Sequence, residues 1–311
     1  MKFLTLVAGF SAAFAAVSAQ SSNQSICDKY TTALLKDNNA TNQKTVLTLV
    51  VNTALIGTYS NATGAPKNNV TGILNNGTYG GQPVSLLKFF DGSLKSTNRN
   101  GNPTAVNFLD GGGAEPLKMN MPANDSSSNQ YTLVTHLYEF FGTLLGCSDQ
   151  TQNGPFMTYQ GVQSMSQVHR FMNLDETEMN YFIEQVGMSA TSFGVSDADA
   201  MTVGNSLNKT FNYRCAPPVV LGPGFANVSQ STCLAADCMV YSPPDCNQMG
   251  DSYPNGTNNA QPQSAAASGS SSGSSGSGGS GMSGKDGSSS LIVNFVGALA
   301  LAAAGAIAVS L

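Results

Sequence analysis

The chain has 311 residues, a formal net charge of −5 and only 10% charged side chains. It carries no basic stripe, which argues against a nucleic-acid partner. Its six cysteines, all beyond the first 20 residues, are an even number, the pattern of a disulfide-bonded chain rather than of a cytosolic one.

The N-terminus, MKFLTLVAGFSAAFAAVSAQ, has a positive residue (Lys2), an apolar stretch from Phe3 to Val17 and small residues at Val17-Ser18-Ala19. Residues 1–19 therefore read as a secretory signal peptide, with the mature chain starting at Gln20. Secretion makes nine Asn-x-Ser/Thr sites usable glycan acceptors: Asn23, Asn39, Asn61, Asn69, Asn76, Asn124, Asn208, Asn227 and Asn255. Glycosylation would place them on the surface.

Thr45–Ile56 (TVLTLVVNTALI) is apolar nearly all round; it is read as a helix, although its β-branched content also permits a strand. Residues 60–130 are dominated by Asn, Gly, Ser and Pro, with apolar islands at Val84–Gly92 and Ala105–Gly113. They are expected to form long loops with short helical turns. Four amphipathic helices then follow. The first carries Leu133, Leu137, Phe140, Phe141 and Leu144 and stops at Gly146. The second carries Met165, Val168, His169 and Met172 at i, i+3, i+4 and i+7. The third follows Asn173 as N-cap and presents Met179, Phe182, Ile183 and Val186; the fourth starts at Ser196 with Asp197 and Asp199 in its first turn and runs through Leu207 to Phe211. The expected fold class is all-α over residues 20–215.

Residues 216–254, rich in Pro, Gly and Cys, read as an irregular disulfide-held appendix, and residues 255–290 as a Ser/Gly-rich flexible stalk. Residues 291–311 are long and apolar enough to span a bilayer, but no Lys or Arg follows. Behind a polar spacer and the small residues Ser280, Gly281 and Ser283, this end reads as a GPI-anchor signal that is removed, with Ser280 taken as the attachment residue. The expected location is extracellular, at the plasma membrane or cell wall, touching the membrane through the GPI lipid alone. Cys27, Cys147, Cys215, Cys233, Cys238 and Cys246 give three disulfides in fifteen possible connectivities. If all pair, parity requires at least one bridge between the first three and the last three.

His136 and His169 are the only histidines. Each lies one turn from apolar residues, His136 between Leu133 and Phe140, His169 between Met165 and Met172. A lone histidine on an apolar face is usually a satisfied core residue. Two on successive helices, in a chain with no others, suggest a shared centre, because an unpartnered buried imidazole costs free energy. Bare zinc needs three or four protein ligands. Haem iron needs one or two, since the macrocycle supplies four nitrogens. The donor set favours haem b.

The stretch FFGTLLGC…MTYQGVQSMSQVHRFMNLDETEMNYFIEQVGMSATSFGVSDADAMTVGNSL resembles the second half of a truncated (two-over-two) haemoglobin. The matching features are Phe140-Phe141, Leu145-Gly146, Tyr159 and Gly161, Met165 with His169, Phe182, Gly194-Val195, and the helix through Leu207. SICDKYTTAL at Ser25 is similar to the family's opening segment, and Phe90 to an aromatic residue bordering the haem, with Phe108 its rival. The resemblance implies a globin-like two-over-two helical sandwich with a long loop insertion. It implies His169 as proximal iron ligand, His136 as distal ligand or hydrogen-bond donor, and haem contacts from Leu133, Leu137, Phe140, Met165 and Phe90. The second glycine after the family's E helix is replaced by Cys147, a candidate to bridge Cys27. The family's distal tyrosine and glutamine fall near Thr53 or Ala54 and at Leu137, leaving His136 as the obvious polar distal group.

The leading expectation is thus a cell-surface haem protein. It would handle oxygen, nitric oxide or superoxide, or acquire haem iron, with any enzymatic activity a haem-dependent redox one. The alternative is a haem-free structural or adhesive cell-wall glycoprotein. Asp110 and Glu115 offer a weaker hydrolase reading, and Met119 with Met121 a weaker copper one. Arg170, Lys118 and Lys88 are the candidate partners for haem propionates.

Overall fold

The computed structural model describes residues 24–59, 68–241 and 263–264. Every one of them falls within the first of two compact units, which ends at Ala266. The signal peptide, the GPI signal, Ser280, Cys246, Asn23, Asn61 and Asn255 lie outside the described residues.

Helix α1, Ile26–Leu35, is capped by Ser25, whose hydroxyl accepts from Asp28 N. Helix α2, Ala40–Ile56, is capped by Asn39, which accepts from Asn42 N. These caps supply acceptors for amide groups that have none within the helix. Helix α2 is buried on most sides, through Val46, Leu47, Leu49, Val51, Ala54 and Leu55. That explains its all-round apolar sequence: it packs against α1, against α3 (Ala114–Lys118), against α4 (Asn129–Leu144) and against α6 (Glu176–Ser192). Helix α6 also packs on α7, Asp197–Phe211. Just after α2, the backbones of Gly57 and Gly72 meet so closely that a Cβ on Gly72 would strike Gly57 N; both have positive φ. Such a crossing requires glycine.

A buried polar link ties three helices together. Tyr138 Oη donates to Asn52 Oδ1 at 2.6 Å, and Asn52 Nδ2 donates to the Leu117 carbonyl at 3.0 Å. Both side chains are almost fully buried.

The all-α expectation does not hold. Three two-stranded antiparallel sheets accompany the seven helices among the described residues. Strands β1 (Gly77–Tyr79) and β2 (Gln82–Val84) form a hairpin, as do β4 (Thr97–Arg99) and β5 (Asn102–Thr104). Strand β3 (Leu94–Lys95) pairs with β6 (Gln263–Ser264). The turn chemistry is the reason. Gly80-Gly81 and Asn100-Gly101 each join two strands with positive φ at both residues, the requirement of a tight two-residue hairpin turn. The globin-like two-over-two sandwich is therefore also corrected, because the segment expected to be its loop insertion is structured as sheet, a 3-10 turn at Leu87–Phe89 and α3, with Val84, Leu86, Phe89 and Leu117 in the core.

Two expected helices change as well. The second shrinks to one turn, α5, Met165–Val168. The third is capped not by Asn173 but by Asp175, in a reciprocal capping box with Glu178. Asn173 instead adopts a positive φ of 49°. Within residues 216–241, which the Cys233–Cys238 bridge helps hold, Gln230, Ser231, Cys233 and Leu234 are buried at 1% exposure or less. Within the segment read as stalk, Gln263 and Ser264 make the β6 pairing.

Candidate functional site

His169 sits where α5 ends. Ser164 caps the helix, accepting from Gln167 N, and His169 is the C-cap residue. Its backbone N–H donates to the Met165 carbonyl at 3.0 Å, and its ring Nδ1 lies 2.8 Å from the same oxygen. A carbonyl oxygen can only accept, so Nδ1 carries the proton and the Nε2 lone pair is left free. That is the state in which an imidazole binds a metal, its other nitrogen fixed by a hydrogen bond. Burial pushes the His169 pKa down, and the Met165 carbonyl offsets part of this.

His136 lies mid-way along α4 and is half-buried. Its ring stands edge-on to Tyr159, centroids 5.4 Å apart. Burial lowers its pKa also. Neither ring nitrogen has a hydrogen-bond partner among the described residues, and no ring contact or hydrogen bond among them joins His136 to His169. Both imidazoles are thus neutral at neutral pH, the form with a lone pair to give.

Around them lies a mixed apolar set. Phe140 is buried at the centre of an aromatic cluster, 5.4 Å from Tyr159, 6.0 Å from Phe141 and Phe225, and 6.3 Å from Phe211. Tyr159 stacks on Phe225 at 5.8 Å and donates its hydroxyl to the Val162 carbonyl at 3.1 Å. Burial first, and Glu139 second, push its pKa up to about 12. Met165 is also core. By contrast Phe90, Leu137, Val168, Met172 and Phe182 pack on the core while remaining partly exposed, as does Leu133 in exposure. Phe108 is likewise only partly covered.

Glu139, one turn from His136, is a buried carboxyl whose Oε2 has no hydrogen-bond partner. Burial pushes its pKa up to about 7, against the attraction of Lys44.

Of the three candidate cations, Lys88 is paired with Glu178 at 2.7 Å and Lys118 with Glu115 at 2.7 Å. Arg170 makes no ion pair among the described residues; its guanidinium lies 5.5 Å from the Phe171 ring centroid and its buried Nε has no partner. The hydrolase pair is explained otherwise. Asp110 accepts from the backbone N–H of Asn129 and Gln130 and from Asn129 Nδ2, anchoring the start of α4, while Glu115 is exposed and bound to Lys118. Met119 and Met121 are exposed at 63% and 42% beside α3, with no histidine.

Two disulfides close within the described residues, Cys27–Cys147 and Cys233–Cys238. Cys215 is disulfide-bonded as well. No three His, Cys, Asp or Glu side chains among the described residues cluster to hold a bare metal ion. No helix among them is long and apolar enough to cross a membrane.

The donor set fits haem better than a bare ion. It offers one oriented neutral imidazole, a second neutral imidazole with no hydrogen-bond partner among the described residues, and apolar side chains only partly covered by protein. No family model, curated protein or solved structure matches this chain.

One set of contacts carried no sequence signal. Gln230 and Ser229, from the Cys-rich tail, reach the α5 turn: Met165 N donates to Gln230 Oε1 at 3.1 Å, and Ser164 Oγ donates to the Ser229 carbonyl at 2.8 Å. A glutamine and a serine outside any periodic element give no hint of what they will meet.

Proposed function

We propose that this chain is a haem b-binding protein of the extracellular surface, with His169 Nε2 as one axial ligand and His136 as the second or as the group facing it. The observation that carries the reading is the Nδ1–Met165 carbonyl bond of 2.8 Å. It fixes the ring's tautomer and orientation and leaves Nε2 unused. The truncated-haemoglobin resemblance of the stretch from Leu133 to Phe211 supports it, and so does the scarcity of histidine elsewhere.

Leu137, Val168, Met172, Phe182 and Phe90 would offer an apolar surface to the macrocycle. Arg170 is the cation left for a propionate. When bound, haem would supply one-electron iron chemistry and a place for a diatomic ligand or superoxide. Among this chain's residues, His136 is the distal polar group, and its depressed pKa keeps it an acceptor or ligand rather than a cation at neutral pH. Such a site suits redox work or ligand handling at the surface, or capture of haem itself. The anchor and stalk would hold the domain outside the membrane.

The test is the absorption spectrum of the purified protein after haem is added. A Soret band that His169→Ala abolishes supports the assignment. His136→Ala should shift a six-coordinate spectrum toward a five-coordinate one. A wild-type chain that takes up no haem overturns the reading and leaves the adhesive glycoprotein in its place.

A further inference from the structure

The His169 turn is only four helical residues long, too short to hold its shape by its own hydrogen bonds. Its order has to come from outside, and the C-terminal segment supplies it from both ends. At the start, Gln230 spans the turn: its Oε1 accepts from Met165 N at 3.1 Å and its Nε2 donates to the Gln163 carbonyl at 2.9 Å. Gln163 returns the contact, donating to the Gly224 carbonyl and accepting from Ala226 N. Ser164 and Ser166 both donate to the Ser229 carbonyl, at 2.8 and 3.2 Å. At the far end, Leu234 N and Ala235 N donate to the Leu174 carbonyl, beside the Cys233–Cys238 bridge.

Met165 is the hinge of this arrangement. Its N–H is held by Gln230 and its carbonyl receives both the backbone N–H and Nδ1 of His169. Gln230 is 1% exposed, so no water competes for the bond. We infer that Gln230 is a positioning residue for His169, fixing the Met165 peptide so that its carbonyl holds the imidazole in the Nδ1–H tautomer with Nε2 presented. The iron-binding consequence rests on the haem reading; the tautomer itself does not.

The test uses the full chain, labelled with 15N-histidine, at one fixed pH and without haem. Two histidines make the ring spectrum assignable. Wild type should show His169 as the Nδ1–H tautomer. Gln230→Met keeps the volume but removes both hydrogen bonds, and the tautomer should become mixed. Gln230→Glu keeps the acceptor for Met165 N, and the Nδ1–H form should be retained. Ser164→Ala loosens the same turn without touching Gln230, and should lower the melting temperature while leaving the tautomer alone.

A Gln230→Met protein with an unchanged Nδ1–H ring overturns the inference, and so does loss of the tautomer in Ser164→Ala to the same degree. If Gln230→Met does not fold, hydrogen exchange in wild type decides. Met165 opens its helix, so its amide has no intrahelical acceptor; slow exchange there supports Gln230 as its partner, and free exchange refutes it. Haem is then added to the same proteins. Gln230→Met should bind it about 10- to 100-fold more weakly, the usual cost in affinity of disturbing a metal ligand's supporting contacts. If wild type binds no haem but the tautomer responds as described, the haem reading fails and the positioning role stands. If wild type binds haem and Gln230→Met holds it equally well, the positioning role fails alone.

Discussion

Glu139→Gln should stabilise the protein, and by an amount that grows with pH. The Glu139 carboxyl is 6% exposed, and its Oε2 finds no donor. Its pKa rises from 4.5 to about 7, chiefly through burial. Between those values the folded chain holds a proton that the unfolded chain has released. Stability therefore falls as pH rises through that window, and the loss is complete above about 7. At 1.36 kcal/mol per pKa unit, the penalty is on the order of 3 kcal/mol at most. A glutamine has no proton to lose. Near pH 4.5 the variant and wild type should differ by less than about 1 kcal/mol, since one neutral buried group replaces another. At pH 8 the variant should be the more stable by about 2–3 kcal/mol. Urea unfolding of both proteins across pH 4.5–8 measures this directly. A stability difference that stays constant with pH would refute the argument and mean that Lys44, the one cation acting on Glu139, keeps it ionised throughout.

Tyr138→Phe should cost about 1–3 kcal/mol, because it leaves Asn52 Oδ1 buried without its donor; denaturant unfolding at neutral pH reads it. Replacing Cys27 and Cys147 together by alanine removes a bridge between residues 120 apart in sequence, which should lower stability by up to about 5 kcal/mol through the freed unfolded chain. Denaturation curves of the oxidised wild type and the oxidised double variant check that value. Peptide mapping of the secreted protein should find glycans at Asn69, Asn76 and Asn124, all exposed. Asn208 should be bare: its Oδ1 accepts from Asn212 Nδ2 at 2.8 Å, and Thr210 of the same sequon is buried.

Much of the helical skeleton was legible because it depends on local signals. Ser196 with Asp197 and Asp199 opens α7 where the sequence places it, and the apolar repeat from Leu133 to Leu144 falls within α4. The errors have equally physical causes. Met165, Val168, His169 and Met172 keep helical spacing, yet the chain leaves the helix at His169, and Met172 N merely closes a turn onto the His169 carbonyl. Periodicity reports which residues face inward, not whether the backbone between them is helical. The hairpins were readable in principle from Gly80-Gly81 and Asn100-Gly101, but their strands are three residues each. Three residues are too few for alternation to show. The bonds from Gln230 and Ser229 to α5 span more than 60 residues, and no local pattern announces such a meeting.

The shortness of α5 and the burial of the tail are one fact. A four-residue helix cannot repay its own nucleation, and the region carrying His169 is too polar at Gln163, Ser164 and Ser166 to fold back by apolar burial alone. Those polar groups would be a liability if left buried and unpaired. The tail turns them into anchors, since Ser229, Gln230 and Gly224 accept from the Gln163, Ser164 and Ser166 side chains and from Met165 N. Extending the helix beyond His169 would leave Met165 N, in the first turn, just as dependent on an outside acceptor. At the end of α5 the Met165 carbonyl takes both N–H groups of His169, one from the backbone and one from the ring. On the positioning role inferred for Gln230, this one-turn helix aims a single imidazole, and Gln230 holds the aim through the Met165 peptide.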